Sequence, residues 1–248
     1  MIVQHVETGW EVIFQPAHGL LAADIGRRLA GGLQCEYWFE TLTAINRHDD
    51  SKVAFRSKQR TYVTEAGAPR NFDQVSMSDQ QRFEEVHNRL ENAYRKHRWI
   101  GLLESQHADF LYAGSDVSKD LKQLLKDEKQ RRRRTLKELD STSDQLQAAY
   151  EVFRWCDRLS LILSRGRLPE MGRRLEIMTF SDDTRSDIFQ SDDGAVHVEP
   201  WPFEADAFDV SVEVHQLKQL AFDDDEELEM ALRSAPTLVR SWRFQQQE

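Results

Sequence analysis

The chain has 248 residues, of which 40% are hydrophobic and 31% charged, with a formal net charge of −10 and a pI of about 5.4. This is the balance of a soluble globular protein with a sizeable core, and it excludes the basic footprint of an extended nucleic-acid binder. It leaves open a small phosphorylated ligand, because a local cation can hold phosphate on an acidic protein.

Cys35 and Cys156 are the two cysteines and make no disulfide framework, which points to a reducing cytoplasm. No apolar run approaches a membrane span. The opening MIVQHVETGWEVIFQ lacks the basic start and apolar block of a signal peptide.

Alternation around Thr8-Gly9 predicts a β-hairpin from IVQHV and WEVIF. QPAHGLLAADIGRRLAGG then reads as a short helix, with Pro16 in its first turn and Gly31-Gly32 at its end. Leu20, Leu21, Ile25 and Leu29 form its expected apolar face. EYWFETLTAINRH is a second helix with Trp38, Leu42 and Ile45 on one side. SKVAFRSKQRTYVTEAGAPRNFDQVS has turn residues and little periodicity, and reads as a long loop of the kind that is often functional.

Helical periodicity resumes from Ser78 to about Gly114. Ser78 with Gln81 makes a capping-box start, and a break near His97-Arg98 divides the stretch into two helices. DVSKDLKQLLKDEKQRRRRTLKELDS is a charged helix, whose KQRRRR tract reads as a solvated face among acidic neighbours. TSDQLQAAYEVFRWCDRLSLILSRG is amphipathic and is stopped by Gly166 and Pro169. After Pro169, LEIMTF, AVHVEPWPF, DVSVEVHQL and TLVRSWRF alternate as strands, and DDDEELEMALRSA is a short helix with an acidic start.

The expected fold is therefore α+β and mainly α, in a single domain. A helical core (15–168) is joined by a small antiparallel sheet made from the N-terminal hairpin and the C-terminal strands (1–14 and 174–244).

Candidate functional residues stand out where a polar group interrupts an apolar helix face. His18 opens the first helix, and His48 closes the second against Asp49 and Asp50. His107 lies on the side marked by Leu103, Phe110 and Leu111. Asp157 interrupts the stripe of Phe153, Cys156 and Leu161. A lone buried carboxylate is costly, so Asp157 needs a base, a salt bridge or a metal as partner. Each residue has a plain reading as well, as a hydrogen-bonded core histidine, a solvated helix end or a carboxylate paired with Arg154 or Arg158. The segment EPWPF reads either as packing between sheet and helices or as a ligand-stacking lid.

In order and helix placement, His18, His48-Asp49 and Asp157 in CDRLS resemble the HD superfamily of metal-dependent phosphohydrolases, over roughly Gln15 to Arg165. The whole chain resembles more closely an uncharacterised bacterial family, domain of unknown function 3891. The segments that carry this are GWEVIFQPAHGLLAADIGRRL, AINRHDD, GLLESQHADFLY, DRLSLIL and PWPF. In that family the His-Asp pair is typically followed by Gly-Trp, whereas this chain continues HDDSKVAF.

The HD resemblance implies an HD-like helical core and a metal held by His18, His48, Asp49 and Asp157. Such a nitrogen-oxygen set suits divalent Mn, Fe, Zn, Ni or Mg. The expected activity is hydrolysis of a phosphoester or nucleotide. Asp50 or Glu104 would position the attacking water. His107 would bind a second metal or hydrogen-bond the leaving group, with Glu104 one turn before it. Lys52, Arg56 and Arg154 would hold phosphate. Two alternatives remain open, a non-catalytic binding or regulatory relative and a di-iron oxygenase-like protein.

Overall fold

The computed structural model describes residues 1–50 and 61–247. Strands β1 (Ile2–Val6) and β2 (Gly9–Ile13) form the N-terminal hairpin, with Val6 opposite Gly9. Gly9 adopts φ +132°, and a Cβ there would sit 2.0 Å from the Leu217 carbonyl oxygen, so this turn requires glycine. Helix α1 (Gln15–Gly26) follows, with proline in its first turn, and then α2 (Trp38–Arg47). The buried face of α1 is His18, Leu21, Ala22 and Ile25, in helical spacing. Leu20 is not on that face; it is 61% exposed.

Helices α3 (Asp79–Lys96) and α4 (Arg98–Tyr112) meet at His97. The extended backbone of His97 ends one helix, and its Nδ1 accepts the Trp99 N–H to start the next. Ser78 and Gln81 cap α3 reciprocally, and Thr142 and Gln145 do the same for α6 (Ser143–Ser164).

Between α4 and α6 lies α5 (Lys119–Glu138), which carries the arginine tract. Its Lys129, Arg133 and Arg134 are exposed, but Arg132 is buried. Arg132 donates to Ser105 and Asp109, while Arg131 pairs with Glu91 and Glu128 and stacks over the Tyr94 ring. The tract is therefore only partly a solvated face. Acceptors on α3 and α4, and Glu128 of α5 itself, draw two of its arginines inward.

The remaining elements are β3 (Leu175–Thr179), β4 (Arg185–Gln190), β5 (Val196–Glu199), β6 (Ala207–Leu217), α7 (Asp225–Ser234) and β7 (Thr237–Gln245). The strands form one seven-stranded sheet in the order β1-β2-β6-β7-β5-β4-β3. All its pairs are antiparallel except β5 with β7. The expectation of a small antiparallel sheet is thus corrected to a large mixed one. Two causes account for the difference. β4 hides in SDDTRSDIFQSDDG, where Arg185 and Asp187 and the flanking turn residues mask the alternation. Alternation also carries no information about strand direction.

The sheet lies against the helices. β6 alternates from Ala207 to Val214, burying Phe208, Val210, Val212 and Val214. These join Leu21, Ile25, Phe153, Leu159 and Leu163 in the main core. Each such large side chain, fully buried, stabilises the fold by about 1.5–3 kcal/mol. α1 sits at the centre of this arrangement, packed on α2, α6 and β6. Among the described residues, no helix is long and apolar enough to cross a membrane.

Candidate metal centre

Three elements bring four ligand-type side chains together. α1 supplies His18 from its buried face, α2 ends at Arg47 with His48 and Asp49 directly after it, and α6 supplies Asp157. Close approach of two backbones makes the meeting possible. A Cβ at Gly19 would lie 2.4 Å from the Asn46 carbonyl oxygen, so glycine lets α1 seat against the end of α2.

His18 Nε2 lies 3.4 Å from Asp49 Oδ2 and 3.5 Å from Asp157 Oδ1. His48 Nε2 lies 3.6 Å and 3.2 Å from the same two oxygens. Adjacent ligands of a tetrahedral ion with bonds of ~2.0–2.1 Å are ~3.3 Å apart. All four separations match such an edge. His18, His48 and Asp49 by themselves form a buried cluster that could hold a metal ion, with ligand atoms within 4.8 Å of one another.

The hydrogen bonds around the cluster set its protonation. His48 Nδ1 lies 2.7 Å from the Ile45 carbonyl oxygen, which can only accept, so Nδ1 carries the proton. His18 Nδ1 lies 2.7 Å from Ser160 Oγ, whose own proton goes to the Asp157 carbonyl oxygen at 2.8 Å. His18 Nδ1 is therefore also a donor. In the neutral imidazoles both Nε2 atoms then present a lone pair towards carboxylate oxygens. That arrangement is repulsive unless a proton or a cation lies between them. Gln15 Nε2 donates to Asp49 Oδ2 at 2.8 Å and holds that carboxylate in place. Burial alone would raise the Asp157 pKa, but the imidazoles of His48, His18 and His107, when they carry a proton, outweigh it and hold the carboxyl at about 2.

A family model described as a protein of unknown function, DUF3891, matches residues 1–219. The chain belongs to the DUF3891 family. No curated protein and no solved structure matches it. The matched span includes all four ligand-type residues and ends before α7 and β7.

The other candidate residues of this DUF3891 protein have different surroundings. His107 is buried beside the cluster, its ring centroid 5.6 Å from that of His48, with Nδ1 3.2 Å from the Tyr150 hydroxyl. Arg154 lies one turn before Asp157 on α6, its guanidinium 4.0 Å above the Phe110 ring. Glu104 is fully buried between Arg89 Nε at 3.5 Å and Arg47 Nη1 at 3.8 Å. Burial raises the Glu104 pKa against the pull of Arg89 and Arg47. Asp50 is exposed, yet the protein around its carboxyl raises its pKa ahead of the pull of Arg47, His48 and Lys96. Lys52 and Arg56 lie outside the described residues.

Sequence reading missed Gln15, Ser160, Tyr150 and Arg89. Helical spacing could have found three of them. Gln15 precedes His18 by one turn, Ser160 follows Asp157 by one turn, and Tyr150, Arg154 and Asp157 stand at i, i+4 and i+7. Arg89, which donates to the His48 carbonyl at 3.3 Å, has no such signal.

Proposed function

We propose that this protein is a metal-dependent hydrolase of a small phosphorylated molecule, a phosphoester or a nucleotide, with the ligand order of the HD superfamily. One observation carries the reading. Two buried imidazoles, each with its Nδ1 proton already committed, direct Nε2 at two carboxylates with separations of 3.2–3.6 Å. A neutral core histidine needs only one satisfied nitrogen and is repelled by a pair of carboxylates at its other one, so a cation or a proton belongs between them.

His18, His48, Asp49 and Asp157 would hold a divalent ion, which polarises a phosphoryl oxygen and acidifies water near neutral pH. Ser160 and the Ile45 carbonyl keep both imidazoles in the tautomer that presents Nε2. Gln15 orients Asp49. Arg89, held by Glu104, braces the carbonyl of His48. Arg154, one turn before Asp157 in the middle of α6, would pair with phosphate oxygens. Burial holds the Tyr150 phenol protonated, so it stays a hydrogen-bond partner for His107. His107 would pass a proton to the leaving oxygen as the P–O bond breaks.

The test is reconstitution of the protein with Mn, Fe, Zn, Ni and Mg one at a time, followed by metal analysis and a panel of phosphomonoesters, phosphodiesters and nucleotides. One ion per chain with metal-dependent turnover is expected. Stoichiometric metal without turnover on any substrate would replace this reading with that of a non-catalytic binding relative.

A further inference from the structure

Helix α6 carries two stripes. Tyr150, Phe153, Arg154 and Asp157 belong to the metal centre. Ala148, Glu151, Val152 and Trp155 repeat the same i, i+3, i+4, i+7 spacing two positions away, about 200° around the helix. This second stripe lines a cavity of about 460 Å³, whose other walls are Phe180, Ser181, Asp182 and Thr184 after β3 and Pro200-Trp201-Pro202 after β5.

The cavity has a distinct chemistry. Its wall is mainly apolar, with the aromatic rings of Trp155, Trp201 and Phe180. Glu151 is 9% exposed, and among the described residues its two carboxylate oxygens accept only from neutral donors, Gln147 Nε2 at 3.1 Å and Ser181 Oγ at 3.2 Å. Asp182 adds a second carboxylate at the exposed rim. No lysine, arginine or histidine lines the cavity among the described residues. A buried carboxylate in an aromatic-lined cavity whose described lining holds no cation favours a positive head group and repels an anion. The apolar remainder of the wall favours a hydrocarbon body.

We propose that this cavity is a second binding site, separate from the metal centre, for a small organic ammonium with an apolar body. Glu151 receives the ammonium, and Trp155, Trp201 and Phe180 cover the body. The requirement for positive charge sets it apart from the metal centre, where phosphate is the expected group.

The test is titration of the full chain with 3-phenylpropylamine, its neutral counterpart 3-phenylpropan-1-ol and its anionic counterpart 3-phenylpropanoate. Calorimetry and tryptophan fluorescence give the affinities. The amine should bind at least about tenfold more tightly than the alcohol, and the propanoate should not bind. Glu151→Gln should reduce the amine to the affinity of the alcohol while leaving alcohol binding and metal content unchanged. Trp201→Ala should weaken amine and alcohol together. Equal binding of amine and alcohol to the wild type, no binding of the amine, or an amine preference that survives Glu151→Gln would each overturn the proposal. If Glu151→Gln does not fold, the wild-type comparison and Trp201→Ala decide.

Discussion

His18 Nε2 and Asp157 Oδ1 lie 3.5 Å apart, although one comes from α1 and the other from α6. His18 Nδ1 meanwhile bonds Ser160, one turn beyond Asp157 on the same helix. A single helix thus orients the imidazole and faces it with a carboxylate. This relationship makes the centre sensitive to groups that never touch an ion.

Ser160→Ala removes the acceptor of His18 Nδ1 without removing any of the four ligand-type side chains. The imidazole is then free to rotate or to change tautomer. Metal affinity should fall by about 10–100-fold, as for other groups that hold a ligating histidine. Stability should fall by about 1–3 kcal/mol, from the buried donor left unsatisfied. Competitive chelation and denaturant unfolding measure the two effects. Unchanged metal affinity would mean that Ser160 does not position His18.

Gly19→Ala tests how α1 reaches the end of α2. The added methyl meets the Asn46 carbonyl oxygen at 2.4 Å, so one backbone must move. Alanine favours helix by up to ~1 kcal/mol over glycine, but overpacking of this kind costs about 1–3 kcal/mol. A net loss of stability together with weaker metal binding is expected. A variant that is stabilised and binds metal normally would show that the two helices are not in close register.

Much of this architecture was legible in the sequence where the signal is local. The capping box at Ser78 sits within four residues of chain and marks the start of α3 directly. His18, His48 and Asp157 stand out because each puts a polar group on a face that is otherwise apolar. The convergence of these residues needs long-range packing, and so does the brace from Arg89, which comes from a helix that reads as charged. The sheet was the least legible part. β4 offers Arg185 and Asp187 where alternation is sought, and the parallel pairing of β5 with β7 depends on a crossing that no local pattern encodes.

Arg154→Gln should separate substrate binding from metal binding. Its guanidinium stacks on the Phe110 ring, which lies beside His107. Metal content should stay at the wild-type level. If the substrate is phosphorylated, kcat/KM should drop by about 10–100-fold, the value of one charge-assisted contact of roughly 1.5–3 kcal/mol. Loss of metal along with activity would instead make Arg154 part of the metal scaffold.

Glu104 predicts a pH dependence. Burial raises its pKa in the folded protein, so the folded state binds its proton more tightly than the unfolded state does. For a group shifted this way, the contribution to stability is fully present below the unfolded pKa of about 4.3 and is lost as pH rises through the folded value. Glu104→Gln removes that titration. The stability of wild type relative to Glu104→Gln should therefore be greater at pH 5 than at pH 8, in denaturant titrations of the metal-free proteins. A difference that does not change with pH would show that Arg89 and Arg47 keep Glu104 ionised throughout.

The neighbours Asp49 and Asp50 provide the sharpest test of the centre. Asp49 is buried, accepts from Gln15 and faces both imidazoles, whereas Asp50 is exposed. If Asp49 served only as a hydrogen-bond partner for Gln15 after the end of α2, Asp49→Ala would leave metal content alone. As a ligand it contributes a negative charge to the cation, and its loss should empty the site after dialysis. Asp50→Ala should retain the ion. Stability of metal-free Asp49→Ala can even rise, because two carboxylates with no cation between them repel, and that rise should disappear when metal is added back to the wild type. Mass spectrometry after reconstitution reads the outcome directly. Equal metal in wild type and Asp49→Ala would remove Asp49 from the ligand set, and the hydrolase reading would then have to stand on His18, His48 and Asp157 alone.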